Sequence, residues 1–138
     1  MMTASADASN DRQKKQPLSN GKLPDSEQRF RALIEHSTDA ISLLDSEGRI
    51  LYSSPSYYRI LGHTPESRYG HDTFELIHPD DRPHILDMFT RILKNPEPVI
   101  VPHTRVKHSD GSWHWIEGFA NNMLNVPAVG AIVGRGST

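Results

Sequence analysis

Two strand-like runs flank Asp110-Gly111 within residues 105–117, and they form the clearest pattern of polar and apolar positions in the chain. An Asp-Gly pair between such runs is typical of a β-hairpin with a two-residue type I′ turn, because both central residues of that turn need a positive φ. Directly opposed residues share a face, so pairing outward from this turn yields one face with Thr104, Val106, Trp113, Trp115 and Glu117. The other face carries Arg105, Lys107, His114 and Ile116. We therefore expect a buried aromatic face and a solvated basic face, unless a one-residue bulge at the turn exchanges some of these positions.

Apolar residues at helical spacing predict two longer helices. The first covers residues 25–37, and its stripe consists of Phe30, Leu33 and Ile34. The second runs from about residue 81 to 94 with a wide core-facing stripe, made of Ile85, Leu86, Met88, Phe89, Ile92 and Leu93. Shorter helical segments are expected between them, at residues 55–61, 64–66 and 72–77.

Five strand-like segments complete the pattern, at residues 40–44, 49–53, 99–108, 113–124 and 129–133. Two strands precede the helices and three follow them, an order that favours hairpins over parallel crossovers. The sequence therefore predicts an α+β domain, a five-stranded antiparallel sheet with helices on one face and a flanking N-terminal helix.

Residues 1–24 carry almost no large apolar side chains, so we interpret them as a disordered leader. The predicted domain then spans residues 25–138, with its core between about 30 and 133. A chain of 138 residues with a formal net charge of −2 lacks the clustered basic charge of a nucleic-acid-binding protein. It has no apolar run as long as the roughly 18 residues of a membrane span, and no secretory signal is recognised. We therefore expect a cytoplasmic protein.

The chain contains no cysteine, which excludes several classes of structural and catalytic site. The absence of cysteine excludes a disulfide scaffold, a thiolate nucleophile and cysteine-ligated zinc. The adjacent carboxylates Asp80 and Asp81 are interpreted as caps at a helix start and not as an acid–base pair. Because no glycine-rich phosphate cradle is present either, this chain is predicted not to be an enzyme.

Short motifs spread along residues 30–133 carry a family resemblance. They are Phe-Arg-Ala-Leu at 30–33 with Asp-Ala-Ile at 39–41, Leu-Asp at 44–45 with Gly-Arg-Ile at 48–50, Ser-Pro-Ser at 54–56 with Ile-Leu-Gly at 60–62, His-Pro-Asp-Asp-Arg at 78–82, Asp-Gly-Ser at 110–112 with Trp-Ile at 115–116, and Pro-Ala-Val at 127–129. In this order and spacing they resemble the PAS domains of bacterial sensor histidine kinases. Two departures stand out, since Ser54 occupies the position of a familiar Asn, and the usual Asp-Ile-Thr exit into a coiled coil is missing before Thr138. We therefore expect a fragment of a larger receptor, with a free-standing single-domain protein as the alternative.

The resemblance implies a sensory module that binds a small ligand or a partner and relays the change to an output domain, such as that of a histidine kinase in a two-component phosphorelay. PAS domains hold small ligands between the sheet and the helices. With the pairing above, the candidate pocket residues are Ile41, Leu43, Tyr52, Tyr57, Ile60, Leu61, Phe74, Ile77, Met88, Phe89, Ile92, Thr104, Val106, Trp115 and Glu117. The alternative is a closed core without a ligand, in a module that acts by dimerisation and relay alone.

No cofactor is identified. Flavin photochemistry of the PAS type needs an adduct-forming cysteine, which is missing. Haem-binding PAS domains take their ligand from the long helix, where His84 lies, but His84 falls in its first turn beside Pro83, so a haem-based redox or gas sensor is the less favoured alternative. No metal site is predicted either, because Arg105 and Lys107 would repel a cation near the hairpin histidines.

The helix over residues 25–37 precedes the first strand and must bury its apolar stripe against a partner. That partner is either the outer face of the sheet or the same helix of a second subunit, as in related receptors. We predict a weak homodimer through this helix, with the interface candidates Phe30, Leu33, Ile34 and Ile116.

Overall fold

A computed structural model of the chain describes residues 25–138, so the predicted leader, residues 1–24, lies outside the described residues. The helices are α1 Asp25–Glu35, α2 Pro55–Leu61, α3 Pro65–Arg68, a 3₁₀ helix Thr73–Leu76 and α4 Arg82–Lys94. The strands are β1 Ala40–Leu44, β2 Ile50–Ser53, β3 Val99–Lys107, β4 Trp113–Met123 and β5 Ala131–Ser137. They form one antiparallel sheet in the order β2-β1-β5-β4-β3, which confirms the predicted α+β class.

The main core lies between the sheet and helices α2 and α4. Strand side chains alternate between faces, and the inner positions include Leu44, Ala120 and Ile132, which pack with Tyr57, Leu61 and Ile92 in one buried cluster. The Asn122 side-chain amide on β4 donates to the Ile92 carbonyl oxygen at 3.1 Å and so holds the C-terminal end of α4 to the sheet. The helices between β2 and β3 therefore cover the inner face of the sheet.

Helix α2 begins and ends at well-formed caps. Ser54 is fully buried, and its hydroxyl oxygen accepts hydrogen bonds from the backbone N–H of Tyr57 at 3.3 Å and of Ile41 at 3.0 Å. The helix ends at Gly62, whose φ of 77° allows its N–H to donate to the Tyr58 carbonyl at 2.7 Å. Ser54 therefore caps α2 and ties it to β1, so the serine found in place of the familiar asparagine is structurally competent.

The β3–β4 hairpin differs from its prediction by one residue. The Ser112 carbonyl accepts from the N–H of His108 at 2.8 Å, which closes a three-residue loop over residues 109–111. Gly111 takes a φ of 92°, and the Asp110 carboxylate accepts from the Ser112 N–H at 2.8 Å. This arrangement matches the three-residue loop with a bulge at glycine. It pairs Thr104 with Ile116, and because the side-chain period of a strand is two, every assignment on β4 moves to the other face.

The predicted faces of the hairpin were therefore wrong for β4. Ile116 points toward the core, whereas Trp115 is 53% exposed and Trp113 is 38% exposed on the outer face. The Arg105 guanidinium lies 5.2 Å from the Trp115 ring centroid, and the Lys107 ammonium lies 5.5 Å from that of Trp113. The outer face of the hairpin therefore combines aromatic rings with cations, so the predicted separation into an aromatic and a basic face is corrected.

Strand β1 also presents the opposite face from the one predicted. Ala40 and Ser42 border the inner side of the sheet, which leaves Ile41 and Leu43 on the outer side. Helix α1 lies against the outer side of the sheet, so apolar residues are suitable on both faces of β1. For this reason the hydrophobic pattern of β1 did not identify its inner face. Ile34 on α1 is 2% exposed.

Tyr52, which pairs with Leu43, connects the sheet to α1. Its hydroxyl donates to Glu35 Oε2 at 3.3 Å, and the Arg31 guanidinium lies 5.5 Å from its ring centroid. Burial, together with the Glu35 carboxylate, raises the pKa of Tyr52 to about 12. The helix therefore packs on its own sheet, as the first of the two predicted partners requires.

The start of α4 is joined to β3 by an ion pair. Asp81 was predicted to cap the helix, but its carboxylate instead binds Arg105, with the guanidinium donating at 2.8 and 3.0 Å and the backbone N–H at 2.9 Å. Hydrogen bonds from the Arg105 side chain and backbone lower the pKa of Asp81 to about 2. The pair fixes the first turn of α4 against the hairpin.

We expect Asp81→Asn to reduce the pH dependence of stability. An Asp whose pKa is depressed in the folded state stabilises the fold above its unfolded pKa of about 4 and loses that contribution as the pH falls toward about 2. Between about pH 5 and pH 2, the free energy of unfolding measured with urea should therefore fall less steeply in Asp81→Asn than in the wild type. Asp80→Asn removes the same charge from an exposed neighbouring side chain and should keep the wild-type slope. Equal slopes in both variants would contradict the assignment.

A pair of adjacent substitutions tests the corrected register. Trp115→Ala should cost about 1 kcal/mol or less, because most of this ring already contacts solvent or exposed neighbours. Ile116→Ala removes a side chain that faces the core and should cost about 2 kcal/mol. Chemical denaturation of both variants measures the difference in the free energy of unfolding. A larger loss of stability for Trp115→Ala would contradict the observed register and favour the two-residue turn.

Candidate ligand cavity

A cavity of about 190 Å³ lies between the inner face of the sheet and helices α2, α4 and the 3₁₀ helix. Its roof is apolar and consists of Met88, Phe89 and Ile92 from α4 together with Phe74. The rings of Phe74 and Phe89 meet edge to face with centroids 5.1 Å apart, a favourable geometry for an aromatic pair. The roof therefore presents hydrocarbon and aromatic surface to the cavity.

The floor of the cavity is formed by glycines on β4 and β5. Gly118 pairs with Gly136, and Gly134 pairs with both Ala120 and Ser42. The three glycines lack side chains, so the helices face backbone at these inner positions. The open space lies above Gly134, because a Cβ at Gly136 would be 2.6 Å from Cγ2 of Ile116 and a Cβ at Gly118 would overlap the backbone of β5.

The glycines differ in what they would tolerate. A Cβ at Gly118 would collide with the carbonyl oxygen of Arg135, so this position has to be glycine. A Cβ at Gly134 would lie 4.0 Å from the Ser42 carbonyl oxygen and would meet nothing closer. Gly134 is therefore a site at which the cavity could be filled without disturbing the backbone.

Two polar side chains at the cavity, those of Thr104 and Ser42, already have partners. Thr104 is 4% exposed, and its hydroxyl donates to the Pro102 carbonyl oxygen at 2.8 Å. The Ser42 hydroxyl lies 3.1 Å from that of Ser53. A ligand thus meets few free hydrogen-bonding groups here, and a bound charge would have to give up its hydration without compensation.

Two charged residues border the cavity but direct their charges elsewhere. Glu117 Oε1 lies 3.1 Å from His103 Nε2, and its side chain is 58% exposed. Arg135 Nε donates to Asp39 Oδ2 at 2.8 Å, with the arginine side chain 59% exposed. Neither charge faces the interior, so the inward carboxylate expected at Glu117 was a consequence of the wrong register.

Tyr57 forms one wall of the cavity and lies beside the buried Arg68, which pairs with the half-exposed Glu75. Arg68 is 3% exposed, and its guanidinium donates to Glu75 Oε2 at 2.6 Å and to the Asp72 carbonyl at 3.1 Å. Burial raises the pKa of Tyr57, despite the opposing effect of Arg68. The phenol is therefore protonated at neutral pH and adds no charge to the wall.

The pocket candidates predicted from the sequence fall into two groups. The pocket candidates that border it are Tyr57, Leu61, Phe74, Ile77, Met88, Phe89, Ile92, Thr104, Val106 and Glu117. The candidates that lie elsewhere are Ile41, Leu43, Tyr52, Ile60 and Trp115, of which Ile41, Leu43, Tyr52 and Trp115 lie on the outer side of the sheet. Bordering residues that the sequence did not single out include Ala40, Ser42, Leu44, Ile85, Ile116, Gly118, Ile132, Gly134 and Gly136. The spacing of Gly134 and Gly136 is a signal that could have been used, because glycine within a strand marks a close approach or an open face.

The remaining sequence candidates are placed as follows. His84 is exposed in the first turn of α4 and does not border the cavity. Of the dimer candidates, Leu33 is 73% exposed and Phe30 is half-buried, whereas Ile34 is buried. Ile116 faces the cavity, so its assignment to an outer interface was wrong. Among residues 25–138, no helix combines the length and the apolar character needed to cross a bilayer.

Comparison with known proteins points to one family. The family described as PAS fold matches residues 50–126 of the chain. The sensor histidine kinase TmoS of Ectopseudomonas mendocina is 34% identical over 77 residues, which are 56% of this chain and 8% of that kinase. The chain spans about a tenth of the length of the curated relatives that it matches.

Solved structures share the fold. A domain of the sensory box sensor histidine kinase/response regulator from Geobacter sulfurreducens superimposes with a TM-score of 0.68 at 25% identity, covering 80% of this chain and 92% of that one. The PAS domain of a protein from Colwellia psychrerythraea superimposes with a TM-score of 0.70 at 21% identity, covering 82% and 96%. The five-stranded sheet and its helices therefore have counterparts over most of the described residues.

Proposed function

The chain belongs to the PAS family, and on that premise we propose that it is a sensory module whose cavity binds a small, uncharged and largely apolar molecule. The observation that carries the proposal is the cavity of about 190 Å³ between a glycine floor and an aromatic roof. An engineered cavity of about 150 Å³ lined by Leu, Ile and Phe is large enough to take up benzene. The space is therefore sufficient for a molecule of one or two small rings.

The chemistry of the lining defines the class of ligand. Charged groups of Glu117 and Arg135 point to the outer surface, and the Thr104 hydroxyl donates its proton to a backbone carbonyl. That hydroxyl oxygen can still accept one hydrogen bond. A neutral molecule with at most one donor group fits these constraints better than an ion or a sugar.

The relay is proposed to pass through the sheet to an output domain of a longer protein of the sensor histidine kinase type. β5 supplies Gly134 and Gly136 to the floor and pairs with both β1 and β4. A ligand that contacts this backbone directly would shift the central strand of the sheet without an intervening side chain. The kinase relative, of which the matched segment covers 8%, supports an arrangement in which such a domain is one part of a multidomain receptor.

A second candidate function is a relay through dimerisation without a ligand. The exposed Leu33 beside the half-buried Phe30 on α1 favours it, because an apolar side chain that is 73% exposed gains from burial against a second subunit. The two candidates do not exclude each other, and separate experiments address them.

Gly134→Val tests the ligand cavity. The valine side chain would project into the cavity and should weaken the binding of indole, used as a small neutral aromatic probe, by at least about tenfold. Ser137→Val is the matched control, because it adds the same side chain to the exposed end of the same strand. Titrations followed by amide NMR shifts provide the dissociation constants. Indole binding that is absent in the wild type, or unchanged in Gly134→Val, would contradict the proposed ligand class.

Leu33→Lys tests the dimer in the chain of residues 1–138. We expect sedimentation equilibrium to show a weak homodimer at high micromolar concentration and a monomer for Leu33→Lys, because a charge would replace the apolar contact. Leu51→Lys is the control, since Leu51 is also exposed but lies on the edge strand β2. A wild-type chain that is monomeric at the same concentration would show that α1 serves its own sheet alone.

A further inference from the structure

A cluster of potential metal ligands lies at the tip of the β3–β4 hairpin, outside the cavity. His108, Asp110 and His114 each offer one ligand atom, and these atoms lie within 4.8 Å of one another. His108 Nδ1 lies 3.2 Å from Asp110 Oδ1. The two imidazole rings stack with centroids 4.8 Å apart and an interplanar angle of 22°. Two nitrogen donors and one carboxylate oxygen therefore converge on one small volume.

The three-residue loop creates this convergence. Val106 pairs with His114, and His108 follows two residues after Val106, so both histidines lie on the inner side of the hairpin. Arg105 and Lys107 lie on the opposite side, packed over Trp115 and Trp113. The repulsion that argued against a cation near these histidines came from the two-residue register, and the observed register removes it.

The ligand groups are held in place by the rest of the domain. The Ser109 N–H donates to the Leu61 carbonyl at 2.9 Å, and His63 Nε2 lies 2.9 Å from the Lys107 carbonyl oxygen. Gly62 lies so close that a Cβ there would be 2.6 Å from Cε1 of His108. The hairpin tip is thus anchored to the end of α2, which limits the conformational entropy that a bound ion would have to remove.

Hydrogen bonds inside the cluster now occupy the atoms that a metal would bind. The Asp110 N–H donates to the lone pair of His108 Nδ1 at 3.1 Å, so this nitrogen is unprotonated and an ion bound there would replace the hydrogen bond. The Ser112 hydroxyl lies 2.6 Å from Asp110 Oδ1 and 3.1 Å from His114 Nε2, and so stands between the remaining two donors. A metal ion would occupy the region that this hydroxyl now bridges.

We propose that His108, Asp110 and His114 bind a divalent transition-metal ion such as Zn²⁺. Imidazole nitrogens and a carboxylate oxygen are a common ligand set for zinc, at about 2.0–2.2 Å from the ion. In a tetrahedral site such ligand atoms are about 3.4 Å apart, so the observed spread closes with small side-chain rotations. Water completes the coordination, because the hairpin tip is open to solvent.

Bound metal would link β3, the loop and β4 across the turn. Because the loop is hydrogen-bonded to Leu61, which also borders the cavity, the ion would stiffen the wall of the cavity as well as the hairpin. The site is independent of the proposed ligand, and its test does not depend on cavity binding.

Isothermal titration of the tag-free chain with ZnCl₂ tests the site. We expect one ion per chain, with affinity at least tenfold weaker in His114→Ala and in Asp110→Asn. His84→Ala is the matched control, because it removes an exposed histidine from α4 and should leave the titration unchanged. Loss of binding in His84→Ala, or retention of full affinity in both cluster variants, would overturn the proposal.

Paramagnetic NMR provides a readout that does not rely on variant folding. Substoichiometric Ni²⁺ added to the isotope-labelled wild-type chain should broaden the amide signals of residues 108–114 and 61–63 before any others, and EDTA should restore them. Broadening centred on the His71 and Glu75 pair or on the His103 and Glu117 pair would place the ion elsewhere and refute the assignment.

Discussion

The backbone conformation at Gly111 governs which side chains the second half of the sheet turns inward. With φ at 92°, this glycine closes a loop of three residues and pairs Thr104 with Ile116. One residue fewer in the loop would turn Trp115 toward the core in place of Ile116. The cavity wall at Ile116, the convergence of His108 with His114 and the solvent-facing tryptophans all follow from this turn.

The elements of the fold could be predicted from the sequence because each has its own periodic signal. The faces of the hairpin could not, since an Asp-Gly pair is compatible with both a two-residue and a three-residue loop. The alternation in β1 was also ambiguous, because Ile41 on the outer side of the strand and Leu44 on the inner side are both buried. Glycine has no apolar side chain, so the pattern of apolar residues in the sequence did not identify Gly118 and Gly134 as part of the cavity.

The outer face of the hairpin shows how large aromatic residues remain compatible with solvent. Arg105 lies over Trp115, and its guanidinium also binds Asp81 at the start of α4. The ring gains a cation–π contact while the arginine keeps its carboxylate partner. Arg105 therefore contacts both the sheet and the start of α4, and so it connects the hairpin to the helix that forms the roof of the cavity.

The glycine floor also has a mechanical consequence. The absence of a side chain at Gly134 leaves a void, and the atoms that line it lose dispersion contacts on one side. Unfolding the chain would release that volume to water. The volume of the system then decreases on unfolding, so hydrostatic pressure would favour the unfolded state of the empty domain. A molecule seated on the floor would remove the void, and the domain would become less compressible. The pressure at which the domain unfolds would therefore indicate whether the cavity is occupied, for any ligand.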